Sequence, residues 1–151
     1  MANTQAMCTS FKTELLTATH NFGTAPTRGT TAADTFKAAL YLASATVNAT
    51  TTAYSAVNEV SGTGYTAGGV TVTSWNAPAA TGTTAFTTPT VSFTYTTVTL
   101  STAFDAVLIY NLTQGNRAVS VHTFGSQTIA AGTFILTMPT NDATTGLLRI
   151  A

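Results

Sequence analysis

The sequence predicts a mainly β protein, an antiparallel β-sandwich or meander with one N-terminal α-helix, in a single domain over residues 1–151. Three observations predict it. The strongest continuous apolar run, Val107, Leu108 and Ile109 within AFDAVLIYN (103–111), lies between polar stretches of alternating pattern, as expected of a central strand buried on both faces. Threonine supplies roughly a quarter of the chain, far above ordinary usage, and its β-branched side chain favours strands, where the methyl packs and the hydroxyl meets water. The second half of the chain also runs from one strand pattern to the next across short turns, with no helical period between them.

The single helix is expected over about residues 5–21. Met7, Phe11, Leu15, Ala18 and Phe22 recur at helical spacing and form one stripe. Asn3 or Thr4 would cap its start and Gly23 would stop it. Lys12 and Glu14 would face water, and His20 would sit in the last turn, where a cation suits the dipole. Residues 24–31, punctuated by Pro26 and Gly29, read as a loop.

In DTFKAALYLA (34–43) two periods compete. Phe36, Ala39, Leu40 and Ala43 fit a helix; Phe36, Ala38, Leu40 and Leu42 fit a strand. Pattern does not separate them, and the shortness of the stretch and its strand-like neighbours favour a strand. Residues 44–61 are polar with a few apolar anchors, and Gly62, Gly64, Gly68 and Gly69 around Tyr65 make a turn-rich passage. A phosphate cradle would need a strand before that passage and a helix after it. The alternating VTVTSW follows instead, without a GK[ST] element. Residues 76–89, with Pro78, Gly82 and Pro89, read as a loop or a poorly paired edge. Strands are then expected over 90–100, with Val91, Phe93, Tyr95 and Thr97 on one face, and over 104–111. Further strands are expected over 118–124, 133–138 and 147–150, with turns at 112–117 and 125–132.

Composition narrows the function. Charged residues are 7% of the chain and net charge is +0, against about 25% charged in an ordinary protein. Five basic residues make no stripe for nucleic acid. No apolar run approaches about 18 residues, the length of a membrane-spanning helix. MANTQAMC at the start has neither a basic nor an apolar signal region, so synthesis in a cytoplasm is the expectation. The one cysteine, Cys8, reads as a small buried hydrophobe. Net neutrality favours association between chains.

No catalytic, cofactor or metal motif stands out. The chain has His20 and His122, and the carboxylates Glu14, Asp34, Glu59, Asp105 and Asp142. There is no GxSxG, CxxC, HExxH or EF-hand spacing. Asp105 and Glu59 are a constructible acid pair that nothing singles out, and Asp105 reads as a structural group near Arg117 or a backbone amide.

The succession SFKTELL, DTFKAALYLASA, NEVSGTGYTAGGVTVT, VTLSTAFDAVLIYN and NRAVSVHTFGSQTIAAGTFILTMPTNDATTGLLRIA resembles a family of small virion proteins of tailed bacteriophages from marine and freshwater sources. The likeness runs from about Ser10 to Ala151, and NEVSGTGYTAGG and DAVLIYN are its most specific pieces. The resemblance implies a strand over Phe36–Leu42, a variable loop over 74–90 and no catalytic machinery. It further implies a structural particle protein, most naturally a capsid decoration (cement) protein on the capsid exterior, with the major capsid protein as partner and self-association as a second contact. A tail or fibre component, receptor-binding in one form, is the rival reading; an enzyme such as a cell-wall hydrolase is the third. Met7, Phe11, Leu15 and Phe22 are the candidate partner interface, because a helical stripe of that size exceeds what so small a β domain obviously needs.

Overall fold

The computed structural model describes residues 3–16, 19–22 and 33–151. The protein is mainly β, with two antiparallel sheets and one short N-terminal helix. In chain order the elements are β1 (Ala6–Met7), α1 (Thr9–Leu16), β2 (Phe36–Leu42), β3 (Val70–Val72), β4 (Ala79–Thr81), β5 (Thr84–Thr87), β6 (Phe93–Asn111), β7 (Arg117–Leu136) and β8 (Leu148–Ile150). The larger sheet has the order β1-β7-β6-β2-β3 and the smaller one β4-β5-β8. No helix among the described residues is long and apolar enough to cross a membrane.

β6 is the middle strand of the larger sheet, and its second half is the expected buried strand. Leu108 and Ile109 are 0% exposed. β2 runs antiparallel to that half, from Phe36 opposite Asn111 to Leu42 opposite Phe104. Five of the seven residues of β2 are buried and the other two, Lys37 and Leu42, are half-buried. A strand covered on both faces loses the polar alternation that normally marks a strand, which is why two periods fitted its sequence equally.

The strands expected at 90–100 and 104–111 are one continuous strand, and those at 118–124 and 133–138 are another, so that β6 and β7 form a single long hairpin. Register shifts interrupt the ladder between Tyr95 and Val98, Val98 and Leu100, Leu100 and Phe104, and Phe104 and Ala106. Each bulge slips the inward–outward phase. Phe93 and Tyr95 point in; Thr97, at φ 54°, turns out, and Val98 takes the inward place. Val91, placed by its pattern on the same inward face, is 57% exposed. The turn joining the strands uses Gly115 and Asn116 at φ 70° and 63°, the left-handed region that glycine and asparagine tolerate.

The helix is shorter than its stripe. Met7 lies in β1, paired with Ser120 of β7, and Ala6 pairs with Val121. α1 starts at Thr9, and by residues 19–22 the chain is no longer helical; the Thr19 amide donates to the Glu14 carbonyl at 2.9 Å. Ala18 and Gly23 lie outside the described residues, as does the expected loop at 24–31. Asn3 is not a helix cap: its amide donates to the Leu42 carbonyl and to Asp105, and its oxygen accepts from the Val47 amide. Lys12 faces water as expected, but Glu14 is buried.

The stretch 74–90 is not a simple loop. It contains the β4–β5 hairpin, with Ala79 opposite Phe86, and β5 pairs in turn with β8 near the C-terminus. A Trp75–Pro89 bridge closes its base. Glycine, proline and threonine masked this pairing, because a three-residue strand with both faces exposed needs no apolar pattern.

Candidate functional site

The four residues expected to form one partner-binding stripe are divided by the fold. Phe11 is 2% exposed and belongs to the core of the chain itself. Phe22 stacks on Phe36 at 4.5 Å and meets Trp75 edge-on at 4.8 Å. Leu15 is half-buried. These three line one cleft of about 460 Å³ with Phe86, Leu148 and Ile150. Met7 lies apart, in a second cleft beside Ser120 and His122. The helical spacing that joined the four residues failed because the chain is helical only between Met7 and Phe22.

Beside the apolar cleft lies a polar cluster. The His20 side chain is 0% exposed, and its Nε2 is 2.6 Å from Glu14 Oε2. Asn111 Nδ2, which can only donate, sits 3.0 Å from His20 Nδ1. That assigns the ring proton to Nε2, where it donates to Glu14. Burial pushes the His20 pKa down, opposed by the Glu14 carboxylate, so the ring is held neutral in a fixed tautomer. The second Glu14 oxygen accepts from Arg117 at 2.5 Å. Asp34 accepts from Asn111 at 2.8 Å, from Gln114 at 3.1 Å and from the Asn21 amide at 2.9 Å. Both His20 nitrogens are engaged, so the cluster ties the segment after α1 to the β6–β7 turn. Arg117 thus pairs with Glu14, whereas the sequence placed it near Asp105, whose partner is Asn3.

A second cluster surrounds Glu59, which is 8% exposed. Its Oε2 accepts from the Tyr54 hydroxyl at 2.6 Å; its Oε1 accepts from the Tyr65 hydroxyl and the Gly68 amide, each at 2.7 Å. The Tyr110 hydroxyl donates to the Gly68 carbonyl and the Tyr95 hydroxyl to the Ala38 carbonyl. Burial, with the Glu59 charge adding to it, pushes the Tyr41 and Tyr110 hydroxyls up to about 12 and also raises Tyr54, Tyr65 and Tyr95. These phenols stay protonated and act as donors. Gly69, at φ +71°, lies so close to β2 that a Cβ there would come within 1.8 Å of the Ala38 carbonyl oxygen. The glycine-rich passage is therefore a turn clamped to the sheet by one carboxylate. The sequence offered Glu59 only as half of a constructible acid pair with Asp105; its role as a clamp was not read, although an acid flanked by Tyr54, Tyr65 and glycines in so charge-poor a chain was the available signal.

Asp142 accepts from the amides and hydroxyls of Thr144 and Thr145, which lower its pKa to about 2. Each of the five carboxylates thus accepts a hydrogen bond from the chain itself. Cys8 is 0% exposed, and burial, with Glu14 adding to it, raises its thiol to about 11. Among the described residues, no three His, Cys, Asp or Glu side chains group as a metal site. Compared with protein-family models, with curated proteins and with solved structures, the chain matches none.

Proposed function

We propose that this chain is a non-enzymatic structural protein of a bacteriophage virion: a capsid decoration protein that sits on the head exterior, bridges major capsid subunits and stabilises the shell. The observation that supports this reading best is the fate of the carboxylates. All five hold the chain's own loops and turns in place, which leaves a neutral, threonine-rich surface suited to burial against other protein. The resemblance over residues 10–151 points the same way. Phe11 is part of the chain's own core, so docking on the shell would fall to half-buried Leu15 and Phe22 and to the exposed faces of the sheets. Specific lateral contacts would need to bury about 1,000 Å² or more.

The test uses particles that lack the protein. They should assemble, lose DNA at lower temperature or lower salt than intact particles, and recover when purified protein is added back. A cryo-EM map should place hundreds of copies on the head. Equally robust particles that have lost host adsorption, with tens of copies or fewer, would refute the shell reading and favour a tail or fibre component. Turnover of peptidoglycan or polysaccharide by the pure protein, abolished by Glu59→Gln or Asp105→Asn, would make it an enzyme.

A further inference from the structure

The outer edge of β7 is covered in sequence order and then left open. Ala53 bridges to Arg117, and the Ala118 amide donates to the Thr52 carbonyl. The Cys8 amide donates to Val119, and β1 pairs with Ser120 and Val121. Beyond Val121 no strand pairs with that edge among the described residues, although β7 continues to Leu136. From Gly125 to Ile135 every residue except Ile129 and Phe134 is exposed, and Ile135 is 53% exposed.

Natural sheets usually protect such an edge with charge, proline or bulges. Here the β6–β7 bulges are present, but no Lys, Arg, Asp, Glu or Pro occurs between Arg117 and Pro139. The opposite edge of the same ribbon is covered from Thr99 onward. Thr63 bridges to Thr99, the Ala43 amide donates to Ala103, and Gly62 lies where a Cβ would come within 2.1 Å of the Thr99 carbonyl oxygen. The remaining outer strands, β1, β3, β4 and β8, have two or three residues each. β7 therefore offers the one long open edge among the described residues.

We infer that residues 122–136 of β7 pair antiparallel with the same residues of a second copy, forming a two-fold dimer with a continuous sheet across the interface. The occupant follows from the chemistry of the edge. A strand with no charge over this length complements another uncharged strand, and the segment itself is one. A net charge of +0 sets up no repulsion between copies. Because only one long edge is open among the described residues, two-fold pairing uses it up and closes as a dimer instead of growing as a fibre.

The edge is about 50 Å long at about 3.4 Å per residue and about 10 Å deep, so both copies together bury about 1,000 Å². That area is at the lower end for specific complexes, and the dimer should be reversible. This inference concerns the purified chain and goes beyond the shell reading, since either can fail without the other.

Sedimentation equilibrium of the full chain, between about 10 μM and about 1 mM, should show apparent mass rising towards twice the monomer, as expected for a small interface. Over the same range, amides of residues 122–136 should gain protection from hydrogen exchange. The double variant Thr128→Lys/Thr133→Lys, at two exposed positions, should keep the native circular dichroism spectrum and weaken dimerisation at least tenfold, with partial recovery in high salt. Val57→Lys, at an exposed apolar residue off this edge, should dimerise normally. A wild type that stays monomeric throughout overturns the inference. So does association that survives the double lysine variant, or that Val57→Lys abolishes.

Discussion

Replacing Glu59 tests whether one buried carboxylate holds the segment from Tyr54 to Gly68 onto the sheet. Three donors converge on it at 2.6 to 2.7 Å: two tyrosine hydroxyls and a backbone amide. Hydrogen bonds to a charged acceptor contribute about 1.5–3 kcal/mol each, and a buried donor left without an acceptor costs about 1–3 kcal/mol. The Gly68 amide is buried and has no substitute acceptor in Glu59→Ala. Tyr54 and Tyr65 are half-buried and can recover part of their loss from water. The expected cost of Glu59→Ala is therefore about 3–6 kcal/mol, a large share of the about 5–15 kcal/mol that stabilises a domain. Glu59→Gln keeps one oxygen but turns an amide donor towards another donor, and should cost about 1–3 kcal/mol. Urea unfolding followed by tyrosine fluorescence and far-UV circular dichroism reads both variants, with the slope checked for constancy. A cost below about 1 kcal/mol for Glu59→Ala would refute the clamp, because even one orphaned buried amide exceeds it.

Two further outcomes follow from burial. Leu108→Ala or Ile109→Ala, each removing a side chain that is 0% exposed in the middle strand, should lower stability by about 2–5 kcal/mol in urea, and an unchanged midpoint would remove the central-strand assignment. His122, beside Ser120 Oγ at 2.9 Å, has its pKa lowered by burial from 6.5 to about 4. The unfolded chain therefore binds the proton first, so the contribution of neutral His122 is present above about pH 6.5 and is lost as pH falls towards 4. His122→Asn should flatten that part of the stability profile; a profile with the same acid slope would exclude His122 as its source.

What the sequence determined by itself was composition and local order. An excess of threonine and a run of three apolar residues flanked by alternating strands were enough for a mainly β antiparallel fold with Leu108 and Ile109 at its centre, because burial on two faces leaves a local mark in the chain. Shortness and neighbours, with the family resemblance, placed a strand at Phe36–Leu42, where periodicity was silent. What only tertiary structure decided was every feature set by distant partners. Met7 leaves the helical stripe because β7 supplies a strand edge at Ser120, and Glu14 turns inward because His20 and Arg117 meet it there. The bulges in β6 shift its phase, so one strand read as two. Glu59 gathers donors five, six and nine residues away in the chain, spacings that match no regular element. Helical and strand periods record which face of a segment is buried; they carry no record of which remote group completes a hydrogen bond or which edge is left uncovered, since those depend on how the whole chain closes on itself.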